Sequence, residues 1–175
     1  MAAHPDLDRW LNDSALRIAH SRRADADDDA LWAAARSIRV RDAGLLGRLV
    51  RWRIPGTPDA VTFDALFRAA PFIVLEDSDR ALVAGLVGRI WTLRRDYPQL
   101  SDPEDFRNWS KAGTARVVFA HWVDDSTLHS EARVKAFGAR GRAGVAAVRP
   151  LIGAFHHLIF SDGLAAAVRR AEELS

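Results

Sequence analysis

The sequence predicts an α+β fold in which an antiparallel sheet is followed by one long C-terminal helix, and three observations carry that prediction. Polar and apolar residues alternate from Leu128 to Phe137 (LHSEARVKAF), the two-residue period of a strand with one buried face. That alternation runs directly into a helical pattern from Ala139 to Leu174. Further upstream the period changes from helical to β at Phe72, so two helices precede most of the sheet.

Ser14 to Ala24 (SALRIAHSRRA) puts Leu16, Ile18 and His20 on one side of an extended chain and reads as strand one. Asp25, Asp27, Asp28 and Asp29 then precede Ala30, Leu31 and Trp32, where carboxylates cap free N–H groups and complement the positive end of a helix. Helix one is predicted to run to about Ile38, and Ala43 to Trp52 (AGLLGRLVRW) carries Leu45, Leu46, Leu49 and Val50 at the spacing of a second helix. Pro55, Gly56 and Pro58 end it.

After a helical turn at Phe63 to Phe67 come FIVLE, a turn at Asp77 to Asp79, and ALVAGLVGRIW, in which Gly85 and Gly88 suggest a bulge or bend. Asp96 to Asp105 reads as a loop, and Thr114 to Asp124 and Leu128 to Phe137 as the last two strands. In the closing helix Val145, Val148, Ile152, Phe155 and Ile159 share a face. Pro150 is expected to kink that helix or mark its start, and Ser161 to Gly163 to interrupt it again.

At 175 residues the chain suits a single domain spanning 1–175, with residues 1–13 a flexible or short helical extension. Cysteine is absent, which excludes disulfides, thiolate nucleophiles and cysteine zinc sites together. The N-terminal MAAHPDLDRW has neither a basic nor an apolar leader region, so a cytoplasmic location is the expectation. Although the pI is about 9.6, the formal charge is only +2 and the arginines are interleaved with acids. A nucleic-acid groove binder instead concentrates its basic residues in a stripe, so no nucleic-acid partner is expected.

The order of strand, two helices, antiparallel strands and long C-terminal helix resembles the helix-grip fold of the START-like (SRPBCC) superfamily. The birch pollen allergen and the polyketide cyclases belong to it. DDDALWAAARSIRVRD resembles the family's first helix and FIVLEDSDRALVAGLVGRIW its second and third strands. SEARV followed by RPLIGAF and VRRAEE is similar to the stretch that leads into its Pro-containing closing helix. The resemblance implies a curled antiparallel sheet wrapped around the C-terminal helix, with an apolar cavity between them closed by the two short helices after strand one.

With Asp125 and Ser126 as a two-residue hairpin turn, Val123 faces Leu128, His121 faces Ser130, Phe119 faces Ala132 and Val117 faces Val134. That face is nearly all apolar and is expected to line the cavity together with Ile152, Phe155 and Ile159. The opposite face carries Arg116, Glu131, Arg133 and Lys135, and is expected to be solvated because burying four charges costs more than exposing the apolar set. His121 and Ser130 are the candidate polar contacts, either orienting a ligand or satisfying one another. A histidine here also suits general acid or base chemistry, although no companion nucleophile is identifiable.

Adjacent His156 and His157 point about 100° apart on a helix and form no chelating face, so neither a metal nor a cofactor is expected. Trp32, Trp52, Trp91, Trp109 and Trp122 read as core or cavity wall. Arg36, Arg39, Arg41, Arg48, Arg51 and Arg53 surround the second helix, either as solvated side chains or as a peripheral membrane contact.

The leading functional expectation is non-catalytic binding of a hydrophobic small molecule, lipid-like or polyketide-like, which requires a cavity of roughly 300 Å³ or more. An aromatase or cyclase of the polyketide type is the alternative, and needs at least two convergent ionisable groups. A protein-interaction module with a filled core is the third reading.

Overall fold

The computed structural model describes residues 4–43, 48, 58, 60–92 and 96–173, and within 151–162 the description is of the backbone. The second helix expected from Ala43 to Trp52 therefore lies almost wholly outside the described residues. The described chain is α+β, with a five-stranded antiparallel sheet in the order β1-β5-β4-β3-β2. Its strands are β1 (Leu16–Arg23), β2 (Ile73–Ser78), β3 (Ala81–Gly88), β4 (Ala115–Asp124) and β5 (Thr127–Ala136). Helices α1 (Leu7–Trp10), α2 (Asp28–Ser37), α3 (Phe63–Phe67), α4 (Pro103–Asn108) and α5 (Gly138–Glu172) surround it. No helix among the described residues is long and apolar enough to cross a membrane.

Local chemistry sets the helix starts. Asp27 is the carboxylate of its cluster that caps α2, accepting from Ala30 N at 2.8 Å, while Asp28 and Asp29 occupy the first turn. Thr62 caps α3 through Ala65 N at 3.2 Å. Helix α4 falls in the stretch read as a loop. Asp102 accepts from Glu104 N at 2.7 Å and Pro103 takes the first helical position, a start signal that the Pro and Asp content masked. Helix α5 is continuous in its backbone from Gly138 to Glu172, so Pro150 does not mark its start and Ser161 to Gly163 does not interrupt it.

Asp125 and Ser126 form the tight turn between β4 and β5 with φ of 48° and 53°, the left-handed pair that a two-residue hairpin requires. Val117, Phe119, His121 and Val123 accordingly pair with Val134, Ala132, Ser130 and Leu128. The register irregularity lies in β2 between Val74 and Glu76, not in β3. Gly85 answers to a close approach instead, since a Cβ there would stand 2.7 Å from Phe106 Cδ2. Gly88, at φ 137°, ends β3 before the Arg89 to Trp91 stretch that had been read as strand.

The largest correction concerns the charged face, which is covered. Leu7, Trp10, Leu11 and Phe106 pack on it together with Val83, Val87, Val118 and Trp122. Residues 4–13 thus form an ordered arm holding α1, and β3, buried on both faces, is apolar along its whole length. Arg116, Glu131 and Arg133 are buried beneath this layer. Burial of these charges is tolerable because most are matched: Glu131 takes Arg17 at 2.8 Å and Arg133 at 2.5 Å, and Arg133 also reaches Asp8 and the carbonyl of Leu11.

Burial pushes the Glu131 carboxyl up, but the hydrogen bonds from Arg17 and Arg133 outweigh it and hold the group below its ordinary value. Arg116 donates to the carbonyls of Phe106 and Arg107 at the end of α4 and lies against the rings of Phe106 and Phe137, at 5.7 and 5.4 Å. Burial lowers its pKa from the usual guanidinium value. At the edge of this face Trp122 is stacked by His129, with centroids 4.9 Å apart, and met edge-on by His4 from the arm.

Candidate functional site

On the opposite face of the sheet a cavity of about 270 Å³ lies between β3, β4 and β5, helices α2 and α3, and the C-terminal part of α5. Strand alternation sends Phe119 and His121 of β4 and Leu128 and Ser130 of β5 into it. Trp32, Ala35 and Ile38 descend from α2, and Leu164 and Ala167 from α5. Helix α3 contributes Phe67, whose ring lies 5.4 Å from Phe119, 5.1 Å from Phe72 and 5.2 Å from His121, giving the wall a tilted and edge-to-face aromatic lattice.

Against this apolar background three buried polar atoms have no hydrogen-bond partner among the described residues: Trp32 Nε1, His121 Nε2 and Ser130 Oγ. All three residues line the cavity. His121 and Ser130 are directly opposite across β4 and β5, yet the hydrogen bond that would satisfy them mutually is absent. Burial lowers the His121 pKa from 6.5 to about 4, so the ring is neutral at physiological pH. Neutral imidazole offers one donor and one acceptor, the indole a donor only, and the hydroxyl both.

Arg36 and Asp64, also on the wall, pair at 3.0 Å and tie α2 to α3. Asp64 is shared with Arg68, which reaches on to Asp77, so that the Asp77 carboxyl is held below its ordinary range by the guanidinium. In the arginine group around the second helix, Arg36 is thus committed to Asp64 and Arg41 lies 3.5 Å from Asp42, while Arg51 and Arg53 lie outside the described residues.

Of the residues expected to face a ligand, Phe119, His121 and Ser130 are brought together on the cavity wall. Val117 and Val134 instead pack with Leu86 and Val145 in an adjoining apolar cluster. Ala132 is buried beside Phe119 in the pairing register but is not on the described wall. Ile152, Phe155 and Ile159 are in α5, and their side chains, like those of His156 and His157, lie outside the description. Trp32 is wall, whereas Trp109 and Trp122 belong to the covered back face.

Phe63, Phe67 and Phe72 were not singled out. Their signal was three phenylalanines at four- and five-residue spacing across a helix-to-strand junction.

No protein-family model and no curated protein matches the sequence. Among solved structures, the crystal structure of TTHA0849 from Thermus thermophilus is similar at the level of the fold and only weakly. The identity is 8% over 91% of this chain and 99% of that one, with a TM-score of 0.32.

Proposed function

We propose that this chain is a helix-grip domain of the START-like kind and that it binds a small, largely apolar molecule in the cavity between sheet, α2, α3 and α5. The observation that carries the reading is an apolar cavity whose wall includes Trp32, His121 and Ser130, each with a buried side-chain polar atom unpartnered among the described residues. A buried polar atom left unpaired costs about 1–3 kcal/mol. Three in one place make sense where a ligand supplies their partners.

The cavity's 270 Å³ does not reach the roughly 300 Å³ expected of a small-molecule site, so volume does not support the reading, which rests on the cavity wall instead. A volume this small favours a compact ligand over a lipid chain or an extended polyketide. Affinity comes from burial of apolar surface, at about 25 cal/mol per Å², and the polar atoms set orientation. Catalysis of the cyclase type is the weaker reading, because His121 is a poor base with its pKa lowered to about 4 and the wall's acid, Asp64, is engaged by two arginines.

Native mass spectrometry of freshly purified protein, followed by titration with naphthalene read from tryptophan fluorescence, tests the proposal. A copurified small molecule, or saturable naphthalene binding that Leu164→Trp abolishes by filling the cavity, is the expected result. Absence of both would leave a filled core and the interaction-module reading.

A further inference from the structure

The chemistry of the cavity wall narrows the ligand class further, and this step rests on the binding reading above. Among the described wall residues the formal charges are those of Arg36 and Asp64, which neutralise one another at 3.0 Å. The histidine that could offer a positive charge is held neutral by burial. Tyr97 also contributes to the wall, and His20 flanks Ser130 from β1. Among the described residues no free counterion faces His121 and Ser130, so an anionic ligand group placed against them would enter an apolar site at high cost.

Hydrogen-bond capacity separates the uncharged candidates. The Trp32 N–H can only donate, so the ligand must present an acceptor. The His121 Nε2 donates in one tautomer and accepts in the other. A carbonyl, which only accepts, serves one of those tautomers. A hydroxyl serves both, accepting from the indole while donating to the imidazole or to Ser130.

The shape of the site adds a second constraint. Phe67 is met by Phe63, Phe72, Phe119 and His121 at 5.1–6.4 Å, so the wall is built mostly from ring edges and faces, surfaces that pack best on another ring. At about 30 Å³ per water, the cavity holds roughly nine waters' worth of volume, the scale of one or two fused rings.

We infer that the ligand is a small uncharged aromatic molecule bearing a hydroxyl group, which hydrogen-bonds to Trp32, His121 and Ser130 while its ring packs against Phe67 and Phe119. Calorimetric titration at pH 7 with naphthalene, 2-naphthol and 2-naphthoate tests it, since the three share a ring system and differ in the polar group. Naphthol is expected to bind about tenfold more tightly than naphthalene, the yield of one or two net hydrogen bonds. Naphthoate is expected to bind at least about a hundredfold more weakly than naphthol.

In Ser130→Ala and in Trp32→Phe the advantage of naphthol over naphthalene, read as the ratio of the two affinities within each variant, should shrink, a pattern that general misfolding would not produce. If naphthol is no better than naphthalene, if naphthoate matches naphthol, or if both variants keep the full preference, the hydroxyl inference is overturned and the cavity reading stands. If none of the three compounds binds, both are overturned.

Discussion

Replacing Glu131 by Gln tests the buried charge layer behind the sheet. The wild-type carboxylate is 2% exposed and takes Arg17 at 2.8 Å and Arg133 at 2.5 Å. Because Arg133 is itself only 11% exposed, losing the charge strands a guanidinium in a low-dielectric layer with Asp8 and the Leu11 carbonyl as its remaining acceptors. Breaking a buried pair from one side costs about 3–5 kcal/mol. Asp8 is 78% exposed and offsets part of that, so Glu131→Gln should lose about 2–3 kcal/mol at pH 7.

Arg17→Ala removes the other arm of the same network, but that side chain is 59% exposed and screened, and should cost less than about 1 kcal/mol. Urea unfolding of wild type and both variants measures the difference. Acid supplies a second signature. The folded carboxyl lies below its ordinary value, so its contribution is full above the unfolded value, near about 4.3, and is lost as pH falls from there toward the folded value. Wild type should therefore lose more stability over that interval than Glu131→Gln. Equal costs for the two variants, or less than about 1 kcal/mol for Glu131→Gln, would refute a buried, paired layer.

Trp10→Ala should cost about 3–5 kcal/mol in thermal or urea unfolding, because the ring is buried in the arm and its Nε1 donates to Glu76 at 2.5 Å; a change within noise would mean the arm is not docked. Gly85→Ala sets a Cβ 2.7 Å from Phe106 Cδ2 in a central strand and should cost about 1–3 kcal/mol, partly recovered in a Phe106→Leu background. Strictly additive costs in that double variant would remove the explanation. His121, with its pKa lowered to about 4, should show no imidazole titration by NMR between pH 7.5 and 5. Its contribution to stability is full above the ordinary value of about 6.5 and declines as pH falls toward 4, by about 3 kcal/mol in all, a slope that His121→Gln should lack.

The hairpin was legible in the sequence because a two-residue turn and a two-residue period leave one register that keeps Val117, Phe119, Val123, Leu128 and Val134 on one side. What covers the other side was not. Alternation distinguishes two faces without saying that the polar one is free, and the cover is an arm 125 residues away from Arg133 in the chain. Its signal, Leu7, Trp10 and Leu11 at helical spacing, occupies one turn, too short for periodicity to stand out. Facing positions alone did place His121 opposite Ser130. Whether their polar atoms meet depends on side-chain rotamers, and the Phe67 ring packed 5.2 Å from His121 comes from another element and is not written into the hairpin.

The two faces of that hairpin also bear on the reading of the cavity. On the back, the fold brings Glu131 and Arg133 into a dense layer and finds acceptors and donors for them from β1, the arm and Leu11. Arg116 is matched largely by main-chain carbonyls. Most polar side-chain atoms buried on that side thus find partners, although Arg116 Nε has none among the described residues. One residue along the same strands, His121 Nε2 and Ser130 Oγ have none among the described residues, and Trp32 Nε1 above them has none either. An apolar side chain of similar size at each position would remove about 1–3 kcal/mol of desolvation cost per atom. Three unpaired atoms on residues of one cavity wall, against one on the back face, favour recognition of a ligand's polar group over loose packing.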